Sequence, residues 1–560
     1  MGKELIKKYL RGNKFLMGLV VRWRRNKSAK FWRGIIQNDS AEWTQALSNA
    51  ARGEKVLIAT SVGSHLAGTT IESMLSVALI QNGAEPHVFL CDAALPACLA
   101  CTYMTYPDFK KFSKEGPSSD CKSCYSSAKR MYESIGVKVH SYGDYLSADE
   151  LGEISGIAES VPVSEIPGFM FEGLAVGEHA KAGALRFFAR GELWGEPFSE
   201  PILRRYFKAA LLTAYATRNL IKVEKFKVAV FHHGIYIPQG IIGEVCRQKQ
   251  LRVVNWNPAY RQGCFVFSHE DTYHRTMITE PVSKWEMIAW DDRKEKRLTE
   301  YLKSRWDGSQ DWIWFQYERP TFEVDKIYSQ LGISKDKPVI GLLTSVMWDA
   351  VLHYKANAFP DMLVWVRDTI AYFAERQDLQ LLIRVHPAEI RGALPSRQRL
   401  VEEILAVYPV LPQNIIIIPP ESDISTYAAM SICDSVIIYN TKTGVELSAA
   451  GKPVIVAGEA WIRGKGFTVD VETRGEYSKI LDSLPLRRML SGNELERAKK
   501  YAYHFFFRRM IPLEFMKKSA GQPPYRLEIA SFKDLAPGKS KGLSVICAGI
   551  LSGTDFICDE

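Results

Sequence analysis

The stretch CDSVIIYNTKTGVELSAAGKPVIVAG, residues 433–458, sets Thr441, Lys442, Thr443 and Gly444 between an apolar run and a short helical pattern. Two hydroxyls, an ammonium group and a glycine at a helix start suit an anion, because the first N–H groups of a helix lack intrahelical acceptors. Glu446, at the next helical position, suits the hydroxyls of a sugar or ribose. A second motif, Arg384-Val385-His386-Pro387, ends another apolar run. Alternation along a strand puts Arg384 and His386 on one side, and Pro387 stops the ladder there. A guanidinium fork and an imidazole leaving a strand end together suit phosphate oxygens, the imidazole as donor or cation. Taken singly, each motif also reads as a capping threonine with a solvated lysine, or a satisfied terminal histidine. Their pairing favours a phosphate site.

Other residues could touch a substrate. In FHHGIYIPQG, residues 231–240, His232 and His233 face opposite sides of a continuing strand, so they cannot chelate one metal but one can meet a ligand. The loop over 60–70 lacks the spaced glycines of a dinucleotide site, yet His65 and the nearby Glu72 stand at a strand end and suit a general base for an acceptor hydroxyl. LLTSVMWDA, residues 342–350, offers Ser345, a stacking face at Trp348 and a carboxylate at Asp349. Finally, Cys98-x2-Cys101 and Cys121-x2-Cys124, separated by 19 residues, are knuckles of the kind that hold a structural zinc. An iron–sulfur cluster takes the same four ligands. Pro107, Gly116 and Pro117 between them are loop chemistry, so the metal would staple an excursion rather than react.

These residues need strands and helices to place them. Short apolar runs at 56–59, 87–91, 137–140, 227–231, 252–256 and 264–267 read as strands, with a helical region at 200–223. A second array has strands at 338–343, 380–385, 414–418, 434–439 and 453–456, with helices at 361–375 and 425–431 between them. Strands alternating with helices argue for parallel sheets, so the chain reads as two α/β domains. The expected division is a basic arm at 1–45, a first domain at 46–300 with the cysteine insertion at 91–125, a connection at 301–337, a second domain at 338–520 and a tail at 521–560.

A chain of 560 residues exceeds one core, and 46% hydrophobic with 24% charged residues is the balance of a soluble globular protein. The net charge of +9 belongs to the arm: residues 1–38 hold eleven Lys or Arg against Glu4 alone, which leaves the rest near −1. Basic residues interleaved with Phe15, Trp23 and Trp32 suit an anionic membrane surface, the alternative being an arm solvated or docked on its own protein. The longest apolar run of the arm, 15–21, is too short to span a bilayer and Arg22 follows it, so neither a spanning helix nor a secretory signal is expected. Ile6 does not suit myristoylation at Gly2. The expected location is cytoplasmic, with the arm at the inner face of the plasma membrane.

From RVHPAE onward the motifs form a pattern: His-Pro after a strand, Ser422-Asp423-Ile424, Asp434-Ser435, Thr-x-Thr-Gly-x-Glu at 441–446, Gly-Lys-Pro-Val at 451–454 and Gly-Phe-Thr at 466–468. It resembles the capsular polysaccharide biosynthesis family, which includes Kdo transferases of the GT-B architecture. The resemblance implies two Rossmann-like domains with parallel sheets facing a cleft, and a glycosyltransferase holding a nucleotide-sugar donor on its second domain. It also implies donor phosphate at His386 and Thr441 to Thr443, and no catalytic metal, in keeping with the lack of an Asp-x-Asp at a strand end. Here the loop reads Thr-Lys-Thr where a Ser/Thr pair is usual, the cysteine knuckles lie outside the pattern, and Val454 occupies the second place of a Glu-x7-Glu. The donor is CMP-linked or carries another nucleotide, and the stereochemical course is open. The expected reaction is attack by a saccharide or glycolipid hydroxyl, deprotonated by Glu72 or His65, while Arg384, His386, Lys442 and the helix start stabilise the leaving phosphate. Two other readings are a non-catalytic component of capsule assembly or export, and a zinc-knuckle nucleic-acid binder. The second is disfavoured because the basic residues do not gather around the cysteines.

Overall fold

Five parallel strands carry the first domain: β1 (Lys55–Ser61), β2 (Glu85–Leu90), β3 (Lys138–Ser141), β4 (Phe226–His232) and β5 (Arg252–Pro258). β6 (Cys264–His269) runs antiparallel to β5. Their order is β3-β2-β1-β4-β5-β6. The second domain has β7 (Val339–Leu343), β8 (Gln380–Arg384), β9 (Ile415–Ile418), β10 (Ser435–Ile438), β11 (Val454–Val456) and β12 (Val469–Asp470). These are all parallel, in the order β9-β8-β7-β10-β11-β12. The computed structural model describes residues 28–312, 315, 321–352, 357–486, 488–519, 521 and 523–559, the side chains at 118 and 119 excepted.

Both sheets are buried on both faces, as parallel sheets must be, and alternation splits each strand between two cores. Val56 and Ile58 enter one apolar cluster while Leu57 and Ala59 enter another. Val339 and Leu343 are likewise separated from Ile340 and Leu342. In the first domain α1 (Leu66–Gln81) covers one face and α2 (Ser118–Glu133) packs near it. α3 (Val176–Phe188) and α4 (Ser199–Val223) cover the other. In each sheet the first strand adjoins the fourth, so the chain order reverses between β1 and β4 and between β7 and β10. Loops leaving such a pair diverge and open a crevice at the carboxyl ends of the strands. The α/β class with two Rossmann-like parallel sheets therefore stands.

Two parts of the expected division differ from the structure. The arm was read as ending at 45. Residues 1–27 lie outside the described residues, but Trp32, 1% exposed, belongs to the first core, so that ring cannot lie on a membrane. Trp43 is buried beside it and donates from Nε1 to Ile135 O at 3.0 Å. The second difference is the tail. After α5 (Asp292–Ser304), α6 (Thr443–Ala449) and α7 (Gly492–Tyr503), the chain returns to the first domain. There β13 (Ile511–Pro512) pairs antiparallel with β6, and α8 (Lys541–Ser552) buries Leu543, Ile546 and Ile550 in the same cluster as Val56. Residues 521–559 read as a tail because Gly, Pro and Lys interrupt them; their apolar positions find partners only through the distant fold. Among the described residues no helix is long and apolar enough to cross a membrane.

Ile546, fully buried, tests this return. Ile546→Ala should cost about 2–5 kcal/mol of stability in urea unfolding; a free tail would leave the unfolding curve in place.

Candidate functional site

A cavity of about 370 Å³ lies at the carboxyl ends of β7, β8 and β10, faced by side chains of the first domain and of the connection. His386 stands on its wall just beyond β8. The His386 backbone N–H donates to Thr344 Oγ1 at 3.1 Å, and its ring Nδ1 accepts from the Ala388 N–H at 3.0 Å. Nδ1 therefore carries no proton, which assigns the hydrogen of the neutral ring to Nε2. Burial pushes its pKa down to about 4, with Lys442 and Arg384 adding to the effect. His386 is thus a neutral N–H donor rather than a cation. Arg384 differs from expectation. Its guanidinium donates to Pro419 O at 2.5 Å, Thr426 Oγ1 at 3.3 Å and Ser422 O at 3.5 Å, so it shapes the wall instead of presenting a free fork.

Thr441, Lys442 and Thr443 line the same cavity. Thr441 Oγ1 lies 3.4 Å from Thr443 Oγ1 and 3.5 Å from the Thr443 N–H. Gly444 has a packing reason for its identity: a Cβ there would stand 2.6 Å from Ile462 Cδ1 and 2.7 Å from Ile438 Cδ1. Glu446 was expected to hold a sugar or ribose hydroxyl. It is instead buried between cations, with Lys442 Nζ at 2.6 Å from Oε1 and Arg305 Nε at 3.0 Å from Oε2. Burial raises its pKa, yet Arg305 and Lys442 outweigh that and hold the carboxyl at about 2. Arg305 Nη1 also meets Asp311 Oδ2 at 2.5 Å, and Tyr301 O–H donates to Asp311 Oδ1 at 2.9 Å. Burial, and then Arg305, lower the Lys442 pKa, and its ammonium lies 4.6 Å from the Tyr260 ring centre.

The first domain faces this wall with His233, Tyr260, Tyr273 and His274, and Trp461 of the second domain joins them. Tyr273 and His274 have ring centres 4.0 Å apart, and Trp461 lies 5.6 Å from His274. His233 takes a left-handed φ of +66°, unusual for a residue with a Cβ, at the end of β4. Its neighbour His232 turns away, packed on His65 and Trp256 at 4.7 and 4.9 Å between centres. Ser345 Oγ donates to Asn440 Oδ1 at 2.7 Å, joining the exits of β7 and β10. Asp349 Oδ1 accepts from Tyr236 O–H at 2.8 Å, and the Tyr236 oxygen accepts from the Ala350 N–H at 2.9 Å. Trp348 is not a stacking face: its Nε1 donates to Ser396 Oγ at 3.0 Å inside a buried cluster with Leu185 and Leu394.

Neither expected base reaches the cavity. His65 caps α1, its Nδ1 accepting from the Gly68 N–H at 3.2 Å, so the neutral ring bears its hydrogen on Nε2 and has no lone pair left for an acceptor proton. Burial lowers its pKa to about 4. Glu72 lies in the interior, 3% exposed, where Oε1 accepts from Thr60 O–H and, at 3.2 Å, from Trp256 Nε1. Thr60 Oγ1 in turn accepts from the His232 N–H at 2.9 Å. Glu72 thus ties α1, β1, β4 and β5 together. The sequence reading missed Arg305, Asp311, Tyr260, Tyr273, His274 and Tyr427, which carry no local motif. Asn440 and Trp461, inside or beside the quoted stretch, were within its reach.

Among the described residues the four knuckle cysteines do not form a group with sulfurs within 4.8 Å of one another, so the expected metal quartet is not assembled in the structure. Burial raises Cys121 to about 12, with Cys98, Cys91 and Cys124 adding to it. Cys124 Sγ accepts from the Ser64 N–H at 3.1 Å. Among the described residues the group whose donor atoms fall within 4.8 Å of one another is His87, His140 and Glu224. Glu224 is already held there by Lys55 and Lys138 at 2.5 and 2.6 Å, which leaves no charge for an ion to balance.

Burial sets Glu72 at about 8, well above an ordinary carboxyl. Between pH 4.5 and 8 the folded chain keeps a proton that the unfolded chain gives up, so stability falls as pH rises. Glu72→Gln should remove this decline, up to about 1.4 kcal/mol per pH unit, in urea unfolding compared at pH 5 and pH 8; an unchanged slope would contradict the assignment.

Residues 325–483 match the family model described as capsule polysaccharide biosynthesis protein. No curated protein matches the chain. Solved structures with a likeness to it include the KpsC β-Kdo 2,4-transferase of Thermosulfurimonas dismutans, at 14% identity and a TM-score of 0.34, over 51% of this chain and 83% of that one. The KpsC β-Kdo 2,7-transferase of the same organism follows at 14% identity and 0.31, over 57% and 88%. The UDP-GlcNAc 2-epimerase of Neisseria meningitidis, bound to UDP-GlcNAc, shows 9% identity and 0.22, over 80% and 94%. The resemblance read from the motifs is borne out as a match to that family's model over residues 325–483, the stretch that supplies His386 and Thr441 to Thr443.

Proposed function

We propose that the chain is a glycosyltransferase that moves a sugar from a nucleotide-activated donor to a growing surface saccharide or glycolipid. The observation that carries this reading is the cavity wall where His386 Nε2–H, Thr441, Thr443 and Lys442 converge at the β8 and β10 ends. Such a set matches the oxygens of a diester or diphosphate, with hydroxyl and imidazole donors and one ammonium. Arg305 stays on Glu446, so Lys442 can turn from that carboxylate to a phosphate without leaving a buried acid uncompensated. The rings of Tyr273, His274 and Trp461 give flat faces for a base or a sugar. The family match over residues 325–483 supports the same assignment.

In the reaction, an acceptor hydroxyl forms the new C–O bond at the sugar carbon while the bond from that carbon to the phosphate oxygen breaks. The leaving phosphate takes the electron pair, and His386 and Lys442 meet its new charge. The acceptor proton passes to Asp349, whose carboxylate lines the cavity with one oxygen fixed by Tyr236. This assigns the base role to Asp349 in place of Glu72 and His65. The charge of the leaving group is met by protein groups, so the reading calls for no catalytic metal.

Purified protein offered CMP-, UDP-, GDP- and CDP-sugars should transfer or hydrolyse one of them. Turnover of none would sink the enzyme reading in favour of a non-catalytic assembly component. With the active donor, His386→Ala should lower kcat about 10²-fold or more, and Asp349→Asn should lower kcat with a smaller effect on donor binding. Because His386 remains neutral above pH about 4, its titration should leave no inflection in the rate between pH 5 and 8; an inflection abolished by His386→Ala would show that it acts as a cation.

A further inference from the structure

Arg186, on α3, is a half-buried cation among uncharged neighbours. Its Nη1 donates to Leu99 O at 2.6 Å, and the guanidinium carbon lies 5.3 Å from the Tyr236 ring centre. Among the described residues no carboxylate pairs with it, and its Nε and Nη2 donate to no acceptor. Other arginines of the first domain do find acids: Arg190 has Glu196, Arg218 has Glu172 and Arg247 has Glu244. Around Arg186 the side chains are apolar, with Val62, Leu99, Ile235 and Tyr236 in one small cluster edged by Ala350 and Leu352 from beyond β7. The imidazoles at the strand ends add no charge. His65, His232 and His233 follow one another with ring centres 4.7 and 5.5 Å apart. Burial, with Arg186 adding to it, holds His65 at about 4 and His233 at about 3, so both rings are neutral. This place adjoins the cavity through Tyr236, which carries Arg186 on its ring and Asp349 on its hydroxyl. His233, 5.1 Å from the same ring, lines the cavity itself.

We infer, on the glycosyltransferase reading, that Arg186 binds a carboxylate of the acceptor, so that the residue receiving the new sugar is itself an acidic sugar. A guanidinium in apolar surroundings without a counter-ion is unfavourable, and an arriving acid removes that cost. The Nε–Nη2 edge presents two parallel N–H donors, the match for the two oxygens of a carboxylate. One carboxylate also balances one guanidinium. A phosphate monoester, with a charge of roughly −1.5 to −2 at neutral pH, would leave a surplus beside Asp349. Leu99 O and the Tyr236 ring hold the guanidinium in place before the acceptor arrives, which lowers the ordering cost of binding. Asp349, assigned to take the acceptor proton, stands on the hydroxyl of that same tyrosine. A carboxylate and a hydroxyl on one sugar ring keep a fixed separation, so anchoring the first at Arg186 selects which hydroxyl meets Asp349.

The full chain, with the donor it turns over, is offered the methyl glycosides of glucuronate, galacturonate and N-acetylneuraminate, each beside its methyl ester, which removes the charge and little else. Glucose 6-phosphate serves as the phosphate arm. At least one acid should exceed its ester about tenfold or more in kcat/KM, and Arg186→Met should raise KM for that acid about tenfold or more while moving KM for the ester less than about twofold. Arg186→Lys should recover part of the preference, which a merely structural defect would not allow. Saturation-transfer NMR with the same acids and no donor reads the site without turnover. Binding of an acid that is lost in Arg186→Met would support the carboxylate site even if no donor were consumed, so a failure of the transferase reading is seen separately. Acids and esters used and bound alike, glucose 6-phosphate preferred to every acid, or a preference intact in Arg186→Met would each overturn the inference.

Discussion

The second domain, the connection and the cavity meet at four charges, three buried and one at the cavity wall. Arg305 and Lys442 face Glu446 and Asp311; Arg305, Glu446 and Asp311 are buried, and the Lys442 side chain is 15% exposed. Charges so placed are held only if each has its partner: breaking a buried pair leaves an unpaired ion at a cost of about 3–5 kcal/mol. Arg305 is the member that reaches across. It follows α5, yet its partners include Glu446 on α6, so the connection is fixed to the helix that follows β10. Lys442, its pKa lowered by burial and its ammonium paired with Glu446, is thereby kept at the cavity wall instead of in solvent. Four groups that sum to zero formal charge make a wall that still offers a cation to an arriving anion.

Both sheets place their polar loops by the same rule. The strand order reverses next to β1 and β7, and part of the cavity lining comes from the exits at those points: His233 after β4, Asn440 and Thr441 after β10, joined by His386 after β8. The connection and the loop after β7 fill the space between. Tyr236 illustrates the joint construction, since its hydroxyl lies in the first domain and engages Asp349 and Ala350 of the second. The geometry of the proposed base is therefore sensitive to how the domains sit on one another.

Much of this was legible in the sequence. Apolar runs of four to six residues marked most of the strands, because a strand buried on both faces must be apolar throughout. His386 and Thr441 to Thr443 were legible because strand-end loops are local. Glu72 and Glu446 were misread for one shared reason: an acid on a helix looks alike from sequence whether it meets solvent, a ligand or a buried partner. What decided them were Trp256 and Arg305, residues 184 and 141 positions away along the chain. Trp348 was misread similarly, its indole being taken up by Ser396 across the cluster at the domain junction. The apolar positions of α8 were invisible as core because their partners, such as Val56 and Val228, stand at the other end of the sequence.

That return of the carboxyl-terminal segment orders the birth of the molecule. β6 waits with one edge unpaired, and the face beside α1 with its apolar side chains bare, until Ile511–Pro512 and Lys541–Ser552 have been made. The second domain has all six strands once residue 470 exists. Domains fold as units as they are synthesised, so the half that is begun first on the ribosome is completed last. During that interval its open sheet edge is the part of the nascent chain most in need of shielding.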